Sequence, residues 1–198
     1  MNAPNILTLF RIAITPLFVV FLFEEGVWPK YAATLFFLCA ALSDFFDGYL
    51  ARKRGSVTRL GRFLDPLADK ILTSAAFISF AILKMVAVWM VYILVVREII
   101  VTGLRVYSIT RKNPLVTSRL AKWKTSCQMA VIFIILLFMN VHAQQAPGMS
   151  WPAAPHDWQY WVINGLVLFI TALATATGIH YLVQNFIFSR RSIAEGGS

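Results

Sequence analysis

Long stretches of this chain carry no formal charge, and their length is the strongest constraint on what it can become. From Trp158 to Phe188 there is no Asp, Glu, Lys or Arg, and Tyr31 to Leu42 is equally bare. A helix rises about 1.5 Å per residue, so about 20 apolar residues cross the roughly 30 Å of bilayer hydrocarbon. Hydrophobic residues make up 59% of the 198 positions, too many for a soluble domain of this length to enclose. The pattern predicts an all-α integral membrane protein.

Six spans are expected, near Asn5–Phe23, Pro29–Arg52, Gly61–Lys84, Val86–Ser108, Leu120–Val141 and Trp158–Phe188. Helix breakers separate them: Glu24-Glu25-Gly26, Gly55-Ser56, Asn113-Pro114 and the Pro/Gly stretch from Ala146 to Pro155. Residues 1–190 read as a single six-helix membrane domain, with 191–198 as a polar C-terminal tail. Cys39 and Cys127 both sit inside apolar runs, without the neighbours of a disulfide framework, metal site or catalytic thiol.

The cations set an orientation. The second connection and its flanks hold Arg52, Lys53, Arg54, Arg59 and Arg62; the fourth holds Arg111, Lys112, Arg119, Lys122 and Lys124. The first and third connections offer only Lys30 and Lys84. By the positive-inside rule both termini and both basic loops are cytoplasmic, with Trp28, Trp151, Trp158 and Trp161 near the opposite interface. The excess of 18 Lys and Arg over 9 Asp and Glu then forms a collar facing anionic lipid headgroups. Nucleic acid is not an expected partner, because the basic segments are short and tied to helix ends.

Against this background the acids stand out. Asp44, Asp47, Asp65 and Asp69 lie before the chain has left hydrocarbon depth on either side of the second connection, where an ionised carboxylate costs at least about 2.5 kcal/mol. Asp44 and Asp47 share a helix face at i, i+3; Gly61, Asp65 and Asp69 align at intervals of four. Two antiparallel helices joined by a short loop bring all four acids to one depth, forming a cup open to the cytoplasm. Gly48, Ala51 and Gly61 leave no bulk beside them. Four carboxylates with oxygen donors alone suit a hard divalent cation such as Mg²⁺, Mn²⁺ or Ca²⁺. Pairing with Arg52, Arg59 or Arg62 is the structural alternative, and it would need four well-placed partners. Lys70 follows Asp69 but projects about 100° away from the acidic stripe. Arg52, at the mouth of the same face, could hold a diphosphate or simply snorkel.

These positions carry a resemblance. Asp44-x-x-Asp47-Gly48-x-x-Ala51-Arg52, then eight residues, then Gly61-x-x-x-Asp65-x-x-x-Asp69 matches the signature of the CDP-alcohol phosphotransferases without gap or substitution. The likeness extends to the opening Pro4-Asn5-x-x-Thr8-x-x-Arg11 and over nearly the whole chain. Arg97-Glu98, Gly103-Leu-Arg105 and Lys122-Trp-Lys124-Thr125-x-x-Gln128 look most like the phosphatidylglycerophosphate synthase branch.

The resemblance implies transfer of a phosphatidyl group from CDP-diacylglycerol to sn-glycerol 3-phosphate, releasing CMP, in a homodimer integral to a bacterial inner membrane. Asp44, Asp47 and Asp65 would hold Mg²⁺ or Mn²⁺, and Asp69 would complete a second metal position or act as base. Asn5, Thr8, Gly48, Ala51, Arg52 and Gly61 would receive the CDP-lipid. Deep cations read as acceptor-phosphate ligands: Arg97, roughly 12 Å inside Arg105 on the fourth helix, with Lys122 and Lys124 on the fifth. Alternatively, Glu98 neutralises Arg105 on a shared stripe. Other acceptors within the same chemistry are phosphatidylglycerol (for cardiolipin), inositol phosphate or serine. A divalent-cation transporter is the competing class, but it calls for carboxylates through the whole membrane depth, and the outer halves of these helices have none.

Overall fold

The computed structural model describes the backbone of residues 3–54, 59–110, 119–145 and 158–195, and the side chains of 9–43, 70–104, 123–145 and 158–179. Among these, the ordered elements are six helices: α1 (Ala3–Phe23), α2 (Val27–Arg54), α3 (Arg59–Ile82), α4 (Val88–Thr110), α5 (Arg119–Gln145) and α6 (Trp158–Glu195). A helix covers each of the six expected stretches. The largest difference is at α6, which continues to Glu195, past the expected end at Phe188. Arg190 and Arg191 end an apolar run, but arginine is a good helix former and does not break the backbone pattern.

The turns explain why the chain reverses where it does. Gly26 takes φ +106°, a conformation open to glycine at little cost. Lys30 Nζ then donates to the carbonyls of Leu22 (2.6 Å) and Glu24 (2.7 Å), satisfying the end of α1 from the first turn of α2. At the end of α3 the Met85 amide donates to Phe80 O (2.9 Å) and the Lys84 amide to Ala81 O (3.0 Å). That bond pair is a Schellman cap, and Lys84 fills its left-handed position at φ 60° where glycine is usual. Lys84, expected inside the third helix, therefore lies beyond its end.

Helix α1 packs on α2 and α3; α5 packs on α2, α3 and α6; α4 packs on α3 and α6. The shared core includes Phe18, Phe37, Phe80, Leu94, Leu136 and Val167, all buried. Outward, every helix presents large apolar side chains: Val20, Leu35, Ile82, Val88, Leu137 and Phe169 are exposed on α1 to α6 in turn. Trp123–Gln145 and Trp158–Ile179 are long and apolar enough to cross a membrane; Leu9–Phe23, Val27–Ser43 and Lys70–Ile82 are shorter apolar stretches. A surface of this kind avoids water.

The hydroxyls fit the same solvent. Thr15, Thr34, Ser43, Thr171 and Thr175 each donate to the carbonyl four residues back on their own helix, at 2.7–2.9 Å. Such bonding removes the need for water at those positions. Cys39 and Cys127 are free thiols, as their apolar setting led us to expect.

A charged cluster beside the acidic helices

Helices α2 and α3 run unbroken through the acidic positions. Asp44 and Asp47 on α2 are thus one turn apart, as are Asp65 and Asp69 on α3. The side chains of all four, and those of Gly48, Ala51, Arg52 and Gly61, lie outside the described residues. So do those of Asn5 and Thr8 on α1, Arg105 on α4 and Lys122 on α5. As a donor set, four oxygen-only carboxylates fit a hard divalent cation and not zinc or copper.

One fixed point borders them. Arg11, about 1% exposed, donates from Nε to the carbonyl of Ala40 (3.3 Å), one turn before Asp44. That bond ties α1 to α2 at the level where α2 turns from apolar to acidic.

The described part of the site centres on Glu98 of α4, only 6% exposed. Its Oε1 accepts from Arg97 Nη1 at 3.1 Å and from Lys124 Nζ of α5. Oε2 pairs with Lys70 Nζ of α3 at 3.2 Å. Arg97 reaches onward to α6, where Nη2 donates to Thr177 Oγ1 at 3.0 Å. Next to it, Gly178 makes room: a Cβ there would lie 3.0 Å from Arg97 Nε and 3.3 Å from its Cγ. Three helices, α3, α4 and α5, therefore converge on one carboxylate shared by three cations, and Arg97 extends the cluster to α6.

Burial gives this cluster its character. Lys124 is about 2% exposed and the Lys70 side chain 20%. Taking such charges from water costs several kcal/mol each, offset only by close partners and further hydrogen bonds. An anion arriving among them meets donors already oriented and largely dehydrated, which strengthens its binding.

Of the expected acceptor-phosphate ligands, Arg97 and Lys124 are brought together here. The sequence sets Glu98 against Arg105, whose side chain lies outside the described residues; the described partners of Glu98 are Lys70, Arg97 and Lys124. Lys70 was passed over because it points away from the acidic stripe of α3. Away from that stripe is toward α4, and a cation one residue beyond an acidic stripe was the available signal.

Comparison with known proteins follows the same lines. A family model described as CDP-alcohol phosphatidyltransferase matches residues 1–176. Relatives named CDP-diacylglycerol–glycerol-3-phosphate 3-phosphatidyltransferase are similar over most of the chain. The one from Pectobacterium atrosepticum is 37% identical across 68% of this chain and 76% of its own. That from Bacillus subtilis is 36% identical across 69% and 77%. That from Escherichia coli K12 is 35% identical across 73% and 82%.

Proposed function

The chain belongs to the CDP-alcohol phosphatidyltransferase family, and from that premise we propose that it transfers the phosphatidyl group of CDP-diacylglycerol to sn-glycerol 3-phosphate. The products are phosphatidylglycerophosphate and CMP. The observation that carries the choice of acceptor is the buried Glu98 cluster: Arg97 and Lys124 are fixed, desolvated cations of the kind a phosphate-bearing acceptor requires. Serine offers that cluster a singly charged carboxylate in place of a phosphate dianion, a weaker electrostatic match to several cations. The names of the relatives agree with this reading.

The reaction joins the acceptor's primary hydroxyl oxygen to the lipid-side phosphorus and breaks the bond from that phosphorus to the CMP oxygen. Asp44, Asp47, Asp65 and Asp69 are the residues that would hold Mg²⁺ or Mn²⁺, which supplies charge neutralisation for the diphosphate when bound. Asp69 accepts the proton of the attacking hydroxyl. Arg52 orients the diphosphate, with Asn5, Thr8, Gly48, Ala51 and Gly61 lining the CDP-lipid site. Arg97, Arg105, Lys122 and Lys124 hold the acceptor's phosphate.

Six spans, cytoplasmic termini and a cup at the cytoplasmic face complete the reading, for one membrane domain over residues 1–190. Its support is the apolar outward surface of all six helices and the crowding of Arg and Lys at the α2–α3 and α4–α5 connections. The homodimer rests on the family resemblance alone. Purified protein with CDP-diacylglycerol and a panel of acceptors tests the assignment. CMP release dependent on sn-glycerol 3-phosphate is expected; release with phosphatidylglycerol, inositol phosphate or serine in its place moves the acceptor, and none at all returns a cation transporter to consideration.

A further inference from the structure

Gln128 has a role that the reaction outlined above leaves unassigned. It is about 1% exposed on α5, and its side-chain Oε1 is buried with no hydrogen-bond partner among the described residues. Such an acceptor has given up water without a replacement, an arrangement native proteins rarely keep without a reason. Its neighbourhood supplies one. Gln128 lies one turn beyond Lys124 on the same face of α5, and Lys124 is bound to Glu98 in the charged cluster. Asn140 also leaves its Oδ1 without a partner, but its Nδ2 donates to Thr34, and it stands a further roughly 18 Å along α5, away from the cations.

We propose that Gln128 determines specificity by accepting a hydrogen bond from the secondary hydroxyl of the acceptor. This rests on the reading that the acceptor is sn-glycerol 3-phosphate. That molecule offers a phosphate for the cations, a primary hydroxyl that attacks, and a secondary hydroxyl between them that takes no part in bond making. One helical turn, about 5.4 Å, separates the α5 position that holds the phosphate from the one that holds the orphaned oxygen. A three-carbon backbone is of that scale. The secondary O–H donates to Oε1, which satisfies the buried acceptor at the moment of binding. An acceptor lacking that hydroxyl leaves it unsatisfied, so discrimination arises from the protein's own unpaired atom.

The test compares sn-glycerol 3-phosphate with propane-1,3-diol monophosphate, which keeps the phosphate and the primary hydroxyl and lacks only the secondary one. With the full-length protein in detergent, kcat/KM for the natural triol phosphate is expected to be about tenfold or more above that for the analogue. Gln128→Met removes the acceptor at similar volume and brings the ratio to within about twofold, by loss on the hydroxylated substrate alone. Gln128→Glu keeps an oxygen acceptor and retains a preference. Equal use of both substrates by the unaltered protein, or an undiminished ratio in Gln128→Met, overturns the role of Gln128. Should Gln128→Met not fold, the ratio in the unaltered protein and in Gln128→Glu still decides. Lack of CMP release with either substrate is a different result: it overturns the acceptor assignment itself.

Discussion

Asn164 on α6 and Glu98 on α4 are equally buried, each about 6% exposed, and each joins parts of the chain far apart in sequence. Asn164 closes on itself. Its Oδ1 accepts from the Ala87 amide (2.9 Å), and its Nδ2 donates to the carbonyls of Met85 (3.1 Å) and Tyr160 (2.9 Å). Every partner is backbone, two of them in the α3–α4 turn and the third one turn back on α6. Glu98 is bound by side chains, all cationic, from α3, α4 and α5. Those cations outnumber the carboxylate they share, so the described cluster carries an excess of positive charge. A saturated neutral node fixes architecture, and a node of shared charges can trade partners with a ligand. The two stand at opposite ends of α4's apolar stretch, so the bundle is stapled at one end and responsive at the other.

The largest test of that contrast lies beside the responsive end. Asp69→Asn is expected to lower turnover by about 10²–10⁴, with CDP-diacylglycerol binding and thermal stability kept. Measured turnover near that of the unaltered protein removes Asp69 from the base role. Arg97→Met comes next. Losing a charge-assisted bond to the acceptor corresponds to about 1.5–3 kcal/mol, read as a rise of one to two orders of magnitude in KM for sn-glycerol 3-phosphate. A weakened KM for CDP-diacylglycerol, with that for the acceptor unchanged, would instead place Arg97 at the nucleotide.

The stapled end responds in stability and not in kinetics. Asn164→Leu strands the Ala87 amide and the Met85 carbonyl at a cost of about 1–3 kcal/mol each if they stay dry. The expected signature is a lower unfolding temperature in detergent with KM for both substrates unaltered. A shift in KM would erase the distinction between the two nodes. Lys84→Gly has the smallest effect. Relieving the left-handed strain at φ 60° is expected to stabilise the cap by about 0.5–1 kcal/mol, partly offset by glycine's extra freedom when unfolded. Equal or lower stability would show that the Lys84 side chain contributes something the backbone does not reveal.

Much of this molecule is legible in its residues. Helix positions follow from the uncharged runs and their breakers, because a span must be long and its ends polar. The boundaries are less legible: Arg190 ends an apolar run without ending α6, since leaving hydrocarbon and leaving the helix are separate events. Along α2 and α3 the acidic pattern is the source of the chemistry proposed for the site, because i, i+3 and i, i+4 spacing needs no tertiary knowledge. The Glu98 cluster is another matter. Lys70, Arg97 and Lys124 come from three helices, and only their relative rotation turns separate cations into neighbours. The two asparagines gave a fainter signal. A lone amide in a run such as Trp161–Val183 asks for a partner without saying which backbone will supply it.

Gly178 secures Arg97 by omission, and omission has consequences for how the site ages and adapts. The clearance beside the guanidinium is a matter of shape, so neither acid nor ionic strength nor oxidation can withdraw it. Only a change of the codon can. Position 178 is therefore a place where inherited variation could displace the Arg97 side chain while every charged group stays as it is.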